Sequence, residues 1–81
     1  MGKVATVFKV YVDNGTDASA SREIKEKLKP NGIQSEEVAF GIKVLKVMFI
    51  HEDDEGSTAF EEKLKRIHNV TEVEIDSESL L

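Results

Sequence analysis

Ile42-Lys43-Val44-Leu45-Lys46-Val47-Met48-Phe49-Ile50-His51 is the stretch that decides the fold. Leu45, Val47 and Phe49 point to one side of an extended chain, and Val44, Lys46, Met48 and Ile50 to the other. Successive side chains alternate across a strand, so a segment apolar on both sides belongs inside a sheet rather than at its edge. Just upstream, Phe40-Gly41 reads as a turn. Before it, Ile33 to Ala39 carries four polar residues in its middle and reads as a weak strand suited to an edge.

Further toward the N-terminus the pattern changes period. Pro30-Asn31-Gly32 stops a helix predicted over residues 17–29, capped by Thr16 or Asp17. Ala20, Ile24 and Leu28 recur every four residues as its apolar stripe, and Glu23–Lys27 is a favourable pair one turn apart. Asp13-Asn14-Gly15 separates that helix from residues 3–12, where Val4, Phe8, Val10 and Val12 share one parity and Lys3 and Lys9 take the other. This is a strand with one buried face. Toward the C-terminus, Glu52-Asp53-Asp54-Glu55-Gly56 reads as an acidic loop. Thr58 and Glu61 form a capping box for a second helix, predicted over residues 57–67, whose stripe is Phe60, Leu64 and Ile67. Val70–Asp76 reads as a last strand with Val73 and Ile75 inward, and Ser77–Leu81 as a tail.

The element order is β-α-β-β-α-β. Two interlocking right-handed crossovers make this an α+β, ferredoxin-like sandwich: a four-stranded antiparallel sheet in the order 4-1-3-2 with both helices on one face. The first and second strands run one way and the third and fourth run back. The Phe40 turn therefore falls beside Asp13 and Asn69, and the acidic loop beside the C-terminus. A strand of about eight residues separates these ends by about 26 Å.

At 81 residues the chain has room for one domain, 1–81, and one core. With 40% hydrophobic and 33% charged residues it is globular rather than disordered. Its longest apolar run, Val47–Ile50, is far too short to span a bilayer. No targeting signal is evident, and there is no cysteine, which together fit the cytoplasm. The net charge of −5, with lysines scattered among acids, argues against direct nucleic-acid binding and suits a basic protein partner.

A catalytic constellation is hard to find. Without cysteine there is no thiol nucleophile. His51 and His68 fall at opposite ends of the expected sheet and cannot share a metal. No serine sits in a nucleophile elbow, and Gly15, Gly32, Gly41 and Gly56 are isolated turn residues rather than a phosphate loop. Glu52–Glu55 lacks the alternating layout of a calcium loop and reads as solvated acids ahead of a helix N-terminus. The reading is of a docking protein with no cofactor, not an enzyme. Phe40 stands out, because a hairpin turn seldom needs a large aromatic. It either folds over the end of the core or plugs a partner's pocket.

Glu37 to Thr58 resembles the signature stretch of the translation elongation factor 1-beta family. Ala39-Phe40-Gly41-Ile42-Lys43 with Leu45 carries one part of the match, Glu52-Asp53-Asp54 the other, and Val70-Thr71-Glu72-Val73 also fits. The chain resembles the short archaeal form, which is the exchange domain alone. The resemblance implies a ferredoxin-like fold and a guanine-nucleotide exchange factor for elongation factor 1-alpha. It assigns partner binding to Ala39, Phe40, Gly41, Ile42 and Lys43, with Phe40 as anchor. A second contact falls at the other end, at Glu52, Asp53, Asp54, Leu80 and Leu81. Eukaryotic members end with a lysine that probes the partner's magnesium and phosphate site, whereas this chain has no lysine after Arg66. The alternative reading is a small-molecule-binding regulatory domain of the same topology, with Asp13-Asn14-Gly15 as its ligand turn.

Overall fold

The computed structural model describes residues 2–39, 42–52 and 58–81. The elements are β1 (Lys3–Val12), α1 (Asp17–Leu28), β2 (Gly32–Ala39), β3 (Ile42–Glu52), α2 (Thr58–Lys65) and β4 (Val70–Leu80). The strands form one antiparallel sheet in the order β2-β3-β1-β4, which is the expected 4-1-3-2 read from the other edge.

Parity decides which face is buried. Even-numbered residues of β1 and odd-numbered residues of β3 face the helices, so Phe8 and Val10 meet Leu45, Val47 and Phe49. Ala20 and Ile24 from α1, and Leu64 from α2 with Ile67 just beyond it, close over them. Fully burying a side chain such as Leu64 contributes about 1.5–3 kcal/mol, a large share of the stability of a domain this small. Phe8 meets Phe49 edge-on at 6.0 Å between ring centroids, and Phe60 stacks on Phe49 at 4.5 Å.

Several expectations shift. Leu28 and Phe60 are only half-buried, and Ile75 is 48% exposed although it pairs with Phe8. Ile75 lies on the helix-covered face, but β4 is an edge strand, so one flank is open. Val44, on the face without helices, is fully buried yet lies outside the main core cluster. Helix α1 stops at Leu28, with Lys29 as a left-handed cap at φ 48°. Thr16 is its N-cap but makes no side-chain cap, because its hydroxyl donates to the Asp13 carbonyl instead, at 2.6 Å. Thr58 begins α2 rather than capping it, and the helix ends at Lys65.

The largest difference is β4. It continues past Asp76 to Leu80, so Ser77–Leu80 is strand rather than tail. The N-terminal half of β1 has main-chain groups to satisfy on that side, and the segment supplies them. Phe8 pairs with Ile75 and Val7 with Ser77, leaving Asp76 as an extra residue. A second shift leaves Thr71 extra, and its hydroxyl donates to the Tyr11 carbonyl at 3.2 Å. Asp76 turns to the open face, where it lies 3.4 Å from Lys46 and 4.0 Å from Lys9. Asp76 foremost, then Glu36, hold the Lys46 ammonium above its ordinary value.

Candidate functional site

The two ends of the sheet are built differently. At one end β2 and β3 close a hairpin whose last paired residues are Ala39 and Ile42. Glu37 pairs with Lys43 and Ala39 with Ile42, so Val38 is an extra residue, and the strand bends just before the predicted partner-binding segment. Val38 and Ile42 are 46% and 45% exposed, placing apolar surface on both sides of Phe40-Gly41 in the chain. Phe40 and Gly41 themselves lie outside the described residues. Lys43 projects toward the helices, 3.9 Å from Asp17 in the first turn of α1. An exposed pair of this kind contributes little to stability and leaves the ammonium available to a partner.

The same end carries the Asp13-Asn14-Gly15 turn. Gly15 takes φ 79°, which only glycine adopts without strain, and the Asp13 amide donates to the Asn69 carbonyl at 3.0 Å. A shallow polar cavity there is lined by Val12, Asp13, Asn14, Gly15, Asp17 and Lys43. Glu23 ties α1 to the connection between α2 and β4. Its Oε2 accepts from Lys27 Nζ at 3.2 Å and from the His68 amide at 3.3 Å. The Lys27 hydrogen bond, then the one from His68, hold its carboxyl below the usual carboxylate range.

At the opposite end Glu52 pairs with Lys3 and Leu80 with Val4, and the Leu81 amide donates to the Lys3 carbonyl at 2.8 Å. Glu52, Leu80 and Leu81 thus come together, as the strand directions predicted, with Leu80 78% and Leu81 70% exposed. Asp53 and Asp54 lie outside the described residues. Because β3 has eleven residues rather than about eight, the ends stand about 33 Å apart rather than about 26 Å.

Beside Glu52 lies a feature that sequence reasoning missed. Thr6 and His51 are the only buried polar side chains among the described residues, and Thr6 Oγ1 lies 2.8 Å from His51 Nε2. Glu78 Oε2 is 3.3 Å from the same hydroxyl. The signal was present: Thr6 shares the parity of Phe8, and His51 that of Phe49. Glu78 could not be anticipated, since only the bulge at Asp76 turns it to that face. His51 is far from His68, as expected, and among the described residues no group of His, Asp or Glu is placed to hold a metal ion. Nor is any helix among them long and apolar enough to cross a membrane.

Comparison with known proteins separates fold from function. The ACT domain of GTP pyrophosphokinase from Chlorobium tepidum superposes with a TM-score of 0.70 over 95% of this chain and 90% of that one. At 18% sequence identity the likeness speaks for the fold alone. Elongation factor 1-beta of Aeropyrum pernix is 41% identical over 98% of this chain and 97% of its own length. That of Halobacterium salinarum is 35% identical over 94% of each. That of Methanosphaerula palustris is 38% identical over 93% of each. The EF-1 guanine nucleotide exchange domain profile matches residues 13–81. The chain belongs to the EF-1 guanine nucleotide exchange domain family, and its function is guanine-nucleotide exchange.

Proposed function

We propose that the whole chain, residues 1–81, acts in the cytoplasm as a single exchange domain that braces the two ends of its sheet against two parts of elongation factor 1-alpha. An exchange factor makes and breaks no covalent bond. It binds the nucleotide-poor conformation of its partner more tightly than the nucleotide-bound one, so it speeds release of GDP without changing the overall equilibrium. Such work calls for separated contact surfaces on a rigid frame, not a cleft with a nucleophile.

The observation that carries the reading is the pair of exposed apolar residues, Val38 and Ile42, on either side of Phe40-Gly41 at a bulged hairpin end. Exposed apolar groups beside an aromatic supply the centre of a protein contact. Ala39, Phe40, Gly41, Ile42 and Lys43 form the first contact, with Phe40 as anchor. Glu52, Asp53, Asp54, Leu80 and Leu81 form the second, about 33 Å away along β3. The acids there suit a basic partner surface. No nucleic acid or cofactor is needed for this action.

The test is a mixing experiment with cognate elongation factor 1-alpha loaded with fluorescent GDP and chased with excess unlabelled nucleotide. Release should accelerate with increasing concentration of this chain and reach a plateau, with no nucleotide hydrolysed by the chain alone. Unchanged release at saturating concentration would sink the assignment.

A further inference from the structure

The buried Thr6–His51 pair follows a hydrogen-bond logic that has a consequence for exchange. His51 Nδ1 is 2.9 Å from the Glu52 carbonyl oxygen, which can only accept, so Nδ1 carries a proton. If Nε2 is bare, it accepts the single hydroxyl proton of Thr6, and nothing remains to bridge Thr6 Oγ1 to the Glu78 carboxylate 3.3 Å away. If Nε2 is protonated, it donates to Thr6, and Thr6 donates to Glu78. With Glu78 ionised, only the imidazolium makes all three contacts at once.

The surroundings suit such a relay. His51 is buried, with the Phe60 ring of α2 at 5.3 Å between centroids. A buried cation is costly unless compensated, and here the compensation comes from Glu78 through the Thr6 hydroxyl. Among the described residues, Glu78 of β4 is the charged group on the His51 face of the sheet at this end, since Glu52 and Lys3 pair with their side chains on the open face; from α2 the Phe60 ring lies against the imidazole. Glu78 reaches this face only because of the bulge at Asp76, and it sits two residues before Leu80.

We propose that Thr6 and His51 are positioning residues for exchange: with the imidazole protonated, they hold Glu78 and so fix the end of β4 that presents Leu80 and Leu81 to the partner. When the imidazole loses its proton, the Thr6 hydroxyl turns to Nε2, Glu78 is released, and the strand end loosens. The link to exchange rests on the two-ended reading above, whereas the link to β4 does not.

The experiment follows amide hydrogen exchange of residues 77–80 in the isolated chain, corrected for intrinsic rates. It is run at roughly pH 5.5 and pH 8, the interval in which histidine is the side chain that generally changes charge. Wild-type protection should fall about tenfold at the higher pH, the size expected for losing one charge-assisted hydrogen bond. Glu78→Gln, at an exposed site that leaves the core intact, should abolish the difference. Thr6→Val should abolish it too. Stimulated GDP release, taken as the ratio of wild type to Glu78→Gln, should fall severalfold over the same interval. Equal protection at both pH values, or a Glu78→Gln chain that keeps the wild-type difference, would overturn the relay. Protection that switches in a chain that never accelerates release would uphold the relay and overturn the exchange reading.

Discussion

The Ala39–Ile42 end and the Glu52–Leu80 end of this sheet are made from the same two kinds of strand yet are finished in opposite ways. At the first, Val38 and Ile42 are left apolar and exposed, and the polar groups nearby are surface pairs such as Lys43–Asp17. At the second, Thr6 and His51 are buried with the exposed Glu78 reaching the Thr6 hydroxyl, while Leu80 and Leu81 are left outside on a strand end held only along one edge. Each end has a bulge in the edge strand, at Val38 and at Asp76. One bulge bends the strand beside the proposed partner segment; the other turns the Glu78 carboxylate to the helix-covered face. The contrast suggests an anchor at the first end and an adjustable contact at the second.

Phe40→Ala probes that contrast with the largest expected effect. Truncating an aromatic anchor costs about 2–4 kcal/mol of binding, so exchange at limiting concentration should fall at least about tenfold. The anchor role also requires the melting temperature to stay nearly unchanged, because a residue that serves the partner contributes little to folding. A large melting loss with normal exchange would make Phe40 a lid on the core and erase the distinction between the ends. Removing Leu80 and Leu81 probes the other end and should have a smaller effect, about threefold in exchange at limiting concentration, in line with two exposed side chains at an interface rim. A loss as large as that for Phe40→Ala would mean that the second end anchors as firmly as the first.

How much of this was legible depended on whether the side-chain period stayed unbroken. In β1 and β3 it does, so Val4, Phe8 and Val10 against Leu45, Val47 and Phe49 could be assigned to one face, and the strand order and the two ends followed. In β4 it breaks at Asp76. Ser77-Glu78-Ser79 has little strand propensity, and its pairing is imposed by β1, not by its own residues. A bulge is invisible to a period-two reading, and every residue beyond it is assigned to the wrong face. The same holds for Val38. Thr58 was misread because a capping box requires its threonine just outside the helix, and here it lies in the first turn. The fold alone would not have distinguished an exchange domain from another domain of this topology, since an ACT domain superposes over 95% of the chain. The residues around Ala39–Lys43 and Glu52 carried that decision.

The smallest expected effect concerns how each end responds to acid, and Glu23 supplies it. Its carboxylate accepts from Lys27 and from the His68 amide, beside Asn69, so it braces α1 against the connection to β4 at the Phe40 end. Both bonds favour the ionised form and lower its pKa below the ordinary 4.5. A lowered folded-state value means that the stabilisation is fully present above the unfolded-state value. It is lost as pH falls through the folded one. Glu23→Gln should therefore lower the melting temperature slightly at pH 7, and the difference from wild type should vanish in acid well below 4.5. Because Glu23 is only half-buried and Lys27 is exposed, solvent screens the pair, and about 1 M salt should shrink the difference at neutral pH. A Glu23→Gln difference that persists in acid would show that its shape rather than its charge matters. The relay at the other end has the reverse sign: it needs a protonated imidazole, so it is made at lower pH and lost as pH rises.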